Sequence, residues 1–330
     1  MGSFAQWRIP FFIALALASC IINVMFLEKL IKSDKECSNL ITFACFALLS
    51  VDGFLFTSKC FTKKRVIPLR YNALLVTIFF FSNVANNLVF RFHVPMTLHM
   101  IFKSGSLLTS LILGALLLKR SYSTSRYIAV AMITVGIIFC TYASSKPEQT
   151  SSTAESFHYG EFLIGLALLT GTLISASYLG VLQERITEQF GSHPRENLFY
   201  NHLLPLPFFL LLYKDLAKQI DSFNRSELYV IPFTGVAIPY MWGLLICNTF
   251  FQYICINSVF QLTSTCTSLT VTLVVTIRKF LSLLISIFYF GNEFTFLHWV
   301  GATLVFGGSA VFAGLHRLVI KEAPSNKKDQ

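Results

Sequence analysis

Three basic residues, Lys103, Arg278 and Lys279, lie within apolar stretches long enough to cross a lipid bilayer, and neither stretch contains an acidic residue. Near the centre of a membrane helix each such charge costs about 2.5–3.5 kcal/mol, so three that faced lipid would cost on the order of 8 kcal/mol together. The sequence therefore predicts that they face a water-filled cavity. An anionic solute in that cavity would supply the missing negative charge.

Hydroxyl groups accompany these cations at helical spacing, since residues three and four apart share one face of a helix. The second basic stretch carries Thr265, Ser268, Thr272, Thr276, Lys279, Ser282 and Ser286. The first repeats the pattern with His99, Lys103, Ser106 and Ser110. Hydroxyls alone are better explained by bonds to their own helix backbone and by close packing. Together with the cations, they favour two polar faces that meet across a phosphate-binding cavity.

Arg278 and Lys279 are adjacent, so their side chains point about 100° apart on a helix. Lys279 belongs to the polar stripe. Arg278 is either a second phosphate contact or the partner of a buried acid, for which Asp52 and Glu28 are candidates.

Amides and aromatic rings cluster in two other stretches. They are Asn83, Asn86 and Asn87, and then Tyr240, Trp242, Asn248, Gln252, Tyr253 and Asn257. Such groups could bind a nucleotide base and a sugar through edge hydrogen bonds and stacking. Any single Asn could equally join two helices.

Composition indicates the elements that position these groups. Of 330 residues, 54% are hydrophobic and 13% charged, whereas soluble domains average about 25% charged. Apolar runs near helix-spanning length recur throughout the chain. We predict an all-α integral membrane protein with ten spans at about 9–28, 39–58, 68–90, 95–118, 126–143, 160–182, 197–213, 230–257, 264–290 and 295–316.

The remaining composition narrows the function. The net charge of +10 could indicate nucleic-acid binding, but the basic residues lie in the loops between spans. More of them lie on the side of the N-terminus, which predicts that both termini are cytosolic. The eight cysteines form no CxxC pair or Cys/His cluster. We therefore expect small packing residues, and neither a metal nor another cofactor.

The two halves of the chain resemble each other. A shift of 176 residues (279 − 103) places Lys103 on Lys279, and a shift of 172 (308 − 136) places Gly136 on Gly308. Five spans in each half mean that the second copy enters the membrane from the opposite side, as in many secondary transporters. We predict two inverted five-helix repeats, 1–150 and 151–330, within one membrane domain.

Three segments then carry a specific resemblance: FYNHLLPLP (199–207), SLTVTLVVTIRKFLSLLISIFYF (268–290) and HMIFKSGSL (99–107). They resemble motifs of eukaryotic nucleotide-sugar transporters, above all the branch that carries UDP-N-acetylglucosamine and UDP-xylose. The resemblance extends over about 10–318. It implies a drug/metabolite-transporter fold of ten helices, with both termini cytosolic, and an antiporter that returns the nucleoside monophosphate.

The resemblance also implies roles for individual residues. Tyr200 and Asn201 match the FYNN motif that contacts the nucleotide in GDP-mannose carriers, with His202 in place of the last Asn. Lys279 resembles a ninth-helix lysine that meets phosphate. Those relatives have a GALN-type sequence before that lysine, whereas this chain has VVTIR at 274–278.

The function expected from these features is import of UDP-N-acetylglucosamine and UDP-xylose from cytosol into the endoplasmic reticulum or Golgi lumen, in exchange for UMP. Alternatives are a carrier of another anionic metabolite, such as GDP-fucose, and a membrane glycosyltransferase. The second would need an acidic cluster, and the 16 acidic residues lie mostly in loops.

Two short patterns concern targeting. Asn224 begins an Asn-Arg-Ser tripeptide, a glycosylation acceptor pattern that the predicted topology places in the lumen. Lys327 and Lys328, near the C-terminus, resemble a dilysine retrieval signal read by coat proteins. Expected partners are thus the UDP-sugar, UMP, the bilayer, a coat protein and a second copy in a homodimer.

Overall fold

The computed structural model describes residues 2–92, 94–117, 119, 121–145, 159–191, 193–230, 237–266, 268–292 and 294–314. The described chain is predominantly helical. Its α-helices are α1 (Gly2–Ser33), α2 (Ser38–Asp52), α3 (Leu69–Leu88), α4 (Met96–Phe102), α5 (Ser106–Leu117), α6 (Thr124–Ser144), α7 (Tyr159–Phe190), α8 (Pro194–Leu203), α9 (Tyr213–Asn224), α10 (Tyr240–Thr265), α11 (Ser268–Phe288) and α12 (Phe296–Phe312).

Seven segments of the described chain are long and apolar enough to cross a bilayer. They are Ile9–Ser33, Ser38–Thr57, Leu69–Arg91, Met96–Leu117, Thr124–Ser144, Gly160–Phe190 and Tyr240–Thr263. A shorter apolar helix covers Phe296–Phe312. The chain is therefore a helical membrane protein.

The predicted seventh span is interrupted. Helix α8 ends at Leu203, a 3₁₀-helix covers Leu206–Leu212, and α9 follows at once. Pro205 and Pro207 explain the break, because proline has no N–H to donate and clashes with the preceding helical turn. The fourth span also changes character, at a 3₁₀ turn over Lys103–Gly105 between α4 and α5.

The predicted eighth span, 230–257, starts too early. Two short antiparallel strands, β1 (Leu228–Val230) and β2 (Ala237–Pro239), precede α10. Pro239 has φ −59° and ψ 131°, and α10 begins with the next residue. Proline fixes φ and is common where a helix starts, so it sets this boundary more strongly than the hydrophobicity of the preceding residues does.

Short connections make consecutive helices antiparallel, so the bundle has two ends. The proximal end is where α1 begins and contains segment 58–68 and the start of α8. The distal end contains segment 34–37 and the β1–β2 hairpin. The most extensive helix pairs are α6–α12, α1–α10, α3–α7, α5–α7, α2–α8, α1–α11, α2–α10, α3–α8 and α4–α11.

Glycines allow α6 and α12 to pack with their backbones close together. A Cβ added at Gly136 would lie 2.5 Å from the Gly301 carbonyl oxygen, and one at Gly308 would lie 2.7 Å from the Ala129 carbonyl oxygen. Close backbone approach at small residues is a common way to join helices in lipid. Gly136 and Gly308, which the internal repeat pairs, thus both lie in this interface.

We expect Gly308→Ala to destabilise the protein by about 1–3 kcal/mol, because backbone cannot move aside as a side chain can. Gly307→Ala is the matched control, since its Cβ would meet only Met132 Cε at 3.7 Å. Thermal unfolding in detergent measures the difference. Equal melting temperatures for the two variants would show that the α6–α12 interface is looser than described.

One pair of cysteines is not simply packing. Cys20 of α1 and Cys255 of α10 form a disulfide, which corrects the expectation from sequence. Their separation of 235 residues gave no motif to recognise. Among the described residues, no group of His, Cys, Asp or Glu is arranged to hold a metal ion.

Candidate functional site

A cavity with two adjoining lobes lies inside the bundle. Lobe A, of about 360 Å³, lies among α1, α2, α3, α4 and α10. Lobe B, of about 490 Å³, lies between α3 and α7 and reaches α11. Both lobes are lined by Phe79, Asn83, Asn86 and Lys103. Lys103 is therefore at the junction of the two.

Lys103 and Lys279 both face lobe B, from α4's 3₁₀ turn and from α11 respectively. Lys103 is exposed although it lies in the middle of a span, because the cavity surrounds it. Arg278 precedes Lys279 on α11. Within the described ranges, none of these three cations forms a salt bridge. The lobe thus concentrates positive charge that no salt bridge among the described residues compensates.

Arg278 points away from this arrangement. Its Nη1 donates to Cys255 Sγ at 3.5 Å, between α11 and α10. Asp52 instead accepts a hydrogen bond from the Tyr253 hydroxyl at 2.8 Å. Glu28 accepts one from the Asn292 amide. Neither acid is the partner of Arg278, so that alternative from the sequence is wrong.

The amides predicted to bind a ligand form much of the wall of lobe A: Asn83, Asn87, Asn248 and Gln252. Several also join helices. Asn87 Nδ2 donates to Asn39 Oδ1 at 3.0 Å, and Asn248 Nδ2 donates to the Asn23 carbonyl at 3.1 Å. Asn83 Nδ2 bonds Phe79 of its own helix. The N–H groups of Asn87 and Asn248 therefore join helices while their side chains line the cavity.

The three predicted α8 residues reach three different spaces. Asn201 lines lobe B, His202 lines lobe A, and Tyr200 lines a separate pocket at the proximal end. Consecutive helical residues point about 100° apart, so one helix cannot direct all three into one cavity. Asn201 Oδ1 is buried and has no hydrogen-bond partner among the described residues. It is thus an acceptor left free close to the lysines.

The two predicted threonines lie on α11 with Lys279. Thr276 is half-buried one turn before the lysine. Thr272 lies one turn earlier, and its side chain is outside the described part of the structure.

Sequence reasoning missed the contribution of α7 to lobe B. Thr172, Ala176, Gly180 and Gln183 line it from one helix face. Their spacing of three and four is a signal that the sequence contains. It also missed the pair in lobe A formed by His99 Nε2 and Asn86 Oδ1 at 3.1 Å.

A polar network closes the distal end beside lobe A. Arg91 forms an ion pair with Asp215 at 2.7 Å, and Asn39 Nδ2 donates to the same carboxylate at 2.6 Å. Asn39 in turn accepts from Asn87 in the lobe wall. The network joins α2, α9 and the end of the α3 span across the distal face.

Residues 8–316 match the sequence profile of the UAA transporter family, which covers most of the chain. The chain belongs to this family. Membership makes it a transporter rather than an enzyme, and the site just described is the interior of a transporter.

Several curated proteins are similar to this UAA transporter over nearly their whole length. Mouse "Nucleotide sugar transporter SLC35B4" is 46% identical over 309 residues, covering 92% of this chain and 93% of that protein. Zebrafish (Danio rerio) "UDP-xylose and UDP-N-acetylglucosamine transporter" is 44% identical over 306 residues, covering 92% of each. Drosophila melanogaster "Endoplasmic reticulum GDP-fucose transporter" is 46% identical over 307 residues, covering 90% of this chain and 87% of that protein.

A crystal structure of another protein shares the fold of this UAA transporter. The two superimpose with a TM-score of 0.55 at 11% sequence identity, covering 95% of this chain and 99% of the other. At this identity the similarity concerns the fold alone.

Of the targeting residues, Asn224 is described and lies away from the cavity. Asn224 ends α9 at the distal end of this UAA transporter, and its Oδ1 accepts a hydrogen bond from Trp242 Nε1 at 2.8 Å. Its glycosylation stays a prediction. Lys327 and Lys328 lie outside the described residues.

Proposed function

We propose that this chain is an antiporter that moves UDP-N-acetylglucosamine and UDP-xylose into the lumen of the endoplasmic reticulum or Golgi and returns UMP. The observation that carries the proposal is the pair Lys103 and Lys279, which face one lobe without a carboxylate partner in the described chain. The names of the mouse and zebrafish relatives support the choice of a nucleotide sugar.

The two ammonium groups suit phosphate. Lysine is a compact point charge that binds phosphate oxygens without a fixed bidentate geometry. UMP carries about 1.5–2 negative charges at neutral pH, and the pyrophosphate of a UDP-sugar carries about the same. Either ligand would therefore neutralise the lobe to a similar extent, which is the electrostatic requirement for exchanging one for the other.

The remaining predicted residues would hold the uridine and the sugar. Asn201, with its free acceptor, lies on lobe B with the lysines, and Thr272 and Thr276 precede Lys279 on α11. His202, Asn83, Asn87, Asn248 and Gln252 would contact the part of the ligand that enters lobe A. Arg278 would contact phosphate only if its side chain changed rotamer and gave up its hydrogen bond to Cys255 Sγ. Tyr200 would contact a nucleotide from the proximal pocket.

The helix pairs support two inverted repeats of five spans. Numbered in order, the spans are α1, α2, α3, α4–α5, α6, α7, α8–α9, α10, α11 and α12. Replacing each span by the one five places away turns α1–α10 into α7–α3, and α1–α11 into α7–α5. The pairs α6–α12, α2–α8 and α4–α11 map onto themselves. The pattern is therefore the same for both halves.

Alternating access follows from this architecture. The two repeats would rock about the lobes and expose them to one side at a time. The distal network around Asp215 would be the closed gate, and it would open in the other state. The excess of basic loops at the proximal end supports cytosolic termini, and hence a lumenal distal end.

The name of one relative and two targeting patterns support the compartment. The Drosophila relative is named as an endoplasmic reticulum transporter. A lumenal distal end would expose Asn224 to glycosylation, and Lys327 and Lys328 would serve retrieval from the Golgi.

Counterflow into proteoliposomes tests the substrate. Vesicles loaded with UMP are expected to accumulate labelled UDP-N-acetylglucosamine and UDP-xylose, and vesicles loaded with GMP should accumulate neither. GDP-fucose is the alternative, because the Drosophila relative is named for it. Accumulation of GDP-fucose alone, driven by GMP, would reject the UDP-sugar assignment and keep the fold and the cavity.

A further inference from the structure

The proximal end contains a pocket that the central cavity does not include. The proximal pocket has a volume of about 470 Å³, and its wall comes from residues 56–58, 63–66, 193–196, 199–200 and 260. An inner pocket of about 310 Å³ adjoins it and shares the walls at Phe56, Arg195 and Phe199. We propose that these joined pockets form a second nucleotide site, with the phosphate in the proximal pocket. Only the choice of uridine as the base rests on the proposed function.

Four cations line the proximal pocket: Lys63, Lys64, Arg65 and Arg195. None forms a salt bridge within the part of the chain that the structure describes. Glu196 also lines the pocket, but its Oε1 accepts hydrogen bonds from the backbone N–H groups of Val66 and Ile67, at 3.0 Å each. The Glu196 carboxylate therefore holds the chain just after Lys63, Lys64 and Arg65 against α8. It does not form an ion pair with any of these cations.

Two guanidinium groups are held against aromatic rings. Arg65 lies over the Tyr200 ring at 6.0 Å, and Arg195 lies over the Phe260 ring at 5.7 Å. Contact with a ring uses the face of the guanidinium and leaves its edge donors available. Those donors match phosphate oxygens in pairs. The Tyr200 hydroxyl is a further free group, since it has no hydrogen bond among the described residues.

The inner pocket has different chemistry. Asp52, Tyr253 and Asn257 line it, and the Tyr253 hydroxyl donates to Asp52 Oδ1 at 2.8 Å. A carboxylate accepts hydrogen bonds from vicinal hydroxyls, as a ribose presents them. An amide and the Phe56 and Phe199 rings offer edge and face contacts to a base. Four cations around the proximal pocket, of which Arg195 also borders the inner pocket, and a carboxylate in the inner pocket fit a nucleotide. The acyl chains of a phospholipid would instead meet the carboxylate.

The turn that precedes Lys63, Lys64 and Arg65 has a left-handed backbone conformation. Lys59, Cys60 and Phe61 have φ of 48°, 56° and 62°. This left-handed conformation costs roughly 1–2 kcal/mol per non-glycine residue. It persists where neighbours impose it, and here the Phe61 ring packs on Phe199 at 6.1 Å. Strain of this kind is concentrated at ligand sites, where it holds binding groups in place.

The test is UMP binding to the Lys279→Met protein, in which binding to the central cavity is weakened. Titration calorimetry of this variant in phosphatidylcholine nanodiscs is expected to show that it still binds UMP, at the proximal pocket. Adding Arg65→Gln and Arg195→Gln should weaken that site at least about tenfold, because each removes charged hydrogen bonds to phosphate. Uridine should bind equally to both proteins, since it has no phosphate.

The matched control is Arg70→Gln with Arg126→Gln. These arginines also lie over rings, of Tyr71 at 5.0 Å and of Tyr122 at 5.4 Å, and neither lines the pocket. Binding should stay within about twofold of the parent. If the double pocket variant fails to fold, Lys63→Gln with Lys64→Gln serves in its place, because both side chains lie in a loop.

Three results would overturn the proposal. The Lys279→Met protein binds no UMP, or the pocket variants bind it as the controls do. The third such result is that the pocket variants bind UMP normally but retain less added phosphatidylserine, which would assign the cations to a lipid headgroup. Failure of the proposed function is a separate result, since it is loss of counterflow by the unmodified chain.

Discussion

Replacing Lys279 or Lys103 with methionine is expected to reduce nucleotide-sugar counterflow by about 10–150-fold each, because each removes charged hydrogen bonds to phosphate worth roughly 1.5–3 kcal/mol. Both lysines face lobe B, and neither has a salt-bridge partner in the described chain. Initial rates over a range of substrate concentrations would show the loss. Arg278→Met is the internal contrast and should have a smaller effect, because its guanidinium contacts Cys255.

The lysine variants that lose transport should gain thermal stability when no ligand is bound. An uncompensated charge inside the bundle disfavours the empty protein, so Lys279→Met should melt at a higher temperature than the unmodified chain without ligand. UMP should raise the melting temperature of the unmodified chain. It should raise that of Lys279→Met much less, because stabilisation by a ligand depends on its affinity. Lys214→Met, at an exposed lysine on α9, is the control and should alter neither quantity. If Lys279→Met loses transport and also melts at a lower temperature than the unmodified chain, the loss reflects destabilisation of the fold, and the electrostatic explanation is wrong.

Exchange should depend on an anion inside the vesicle. Reorienting an empty lobe with two ammonium groups exposes uncompensated charge, at up to about 2.5–3.5 kcal/mol for each. Internal UMP is therefore expected to raise the initial uptake of UDP-N-acetylglucosamine at least about tenfold over vesicles with no internal nucleotide. Internal uridine is the matched control, because it presents the same base and ribose without the phosphate.

Equal uptake with UMP, uridine and buffer inside would reject obligate exchange while leaving transport itself intact. The Lys103→Met, Lys279→Met double variant adds a further check. Its empty lobe has lost both charges, so whatever uptake it retains should no longer respond to internal UMP.

Local physical rules made much of the fold predictable from sequence. The cost of burying backbone in lipid requires long apolar helices, and seven of the predicted spans reappear as membrane-length segments of the described chain. The cost of a charge in lipid explains why Lys103 and Lys279 face a cavity. Element boundaries were less predictable. Hydrophobicity alone placed the start of the eighth span at 230, whereas Pro239 sets the start of α10.

Long-range packing decided what local rules leave open. Periodicity places Tyr200, Asn201 and His202 on different sides of α8, but it does not say what each side meets. The neighbours of α8 divide them among the proximal pocket, lobe B and lobe A. The same holds for the contact of Arg278 with Cys255 rather than with an acid.

The sequence by itself determined that this chain is a helical membrane protein with cations inside membrane-length apolar stretches, because the costs of burying backbone and charge in lipid depend on each residue and its immediate neighbours. Only the tertiary structure decided which helices pair, that Cys20 bonds to Cys255, and that the proximal cations form a pocket apart from the central cavity. The reason is geometric. Partners hundreds of residues apart meet through the packing of the whole bundle, and no local pattern in the chain encodes the direction from which they approach.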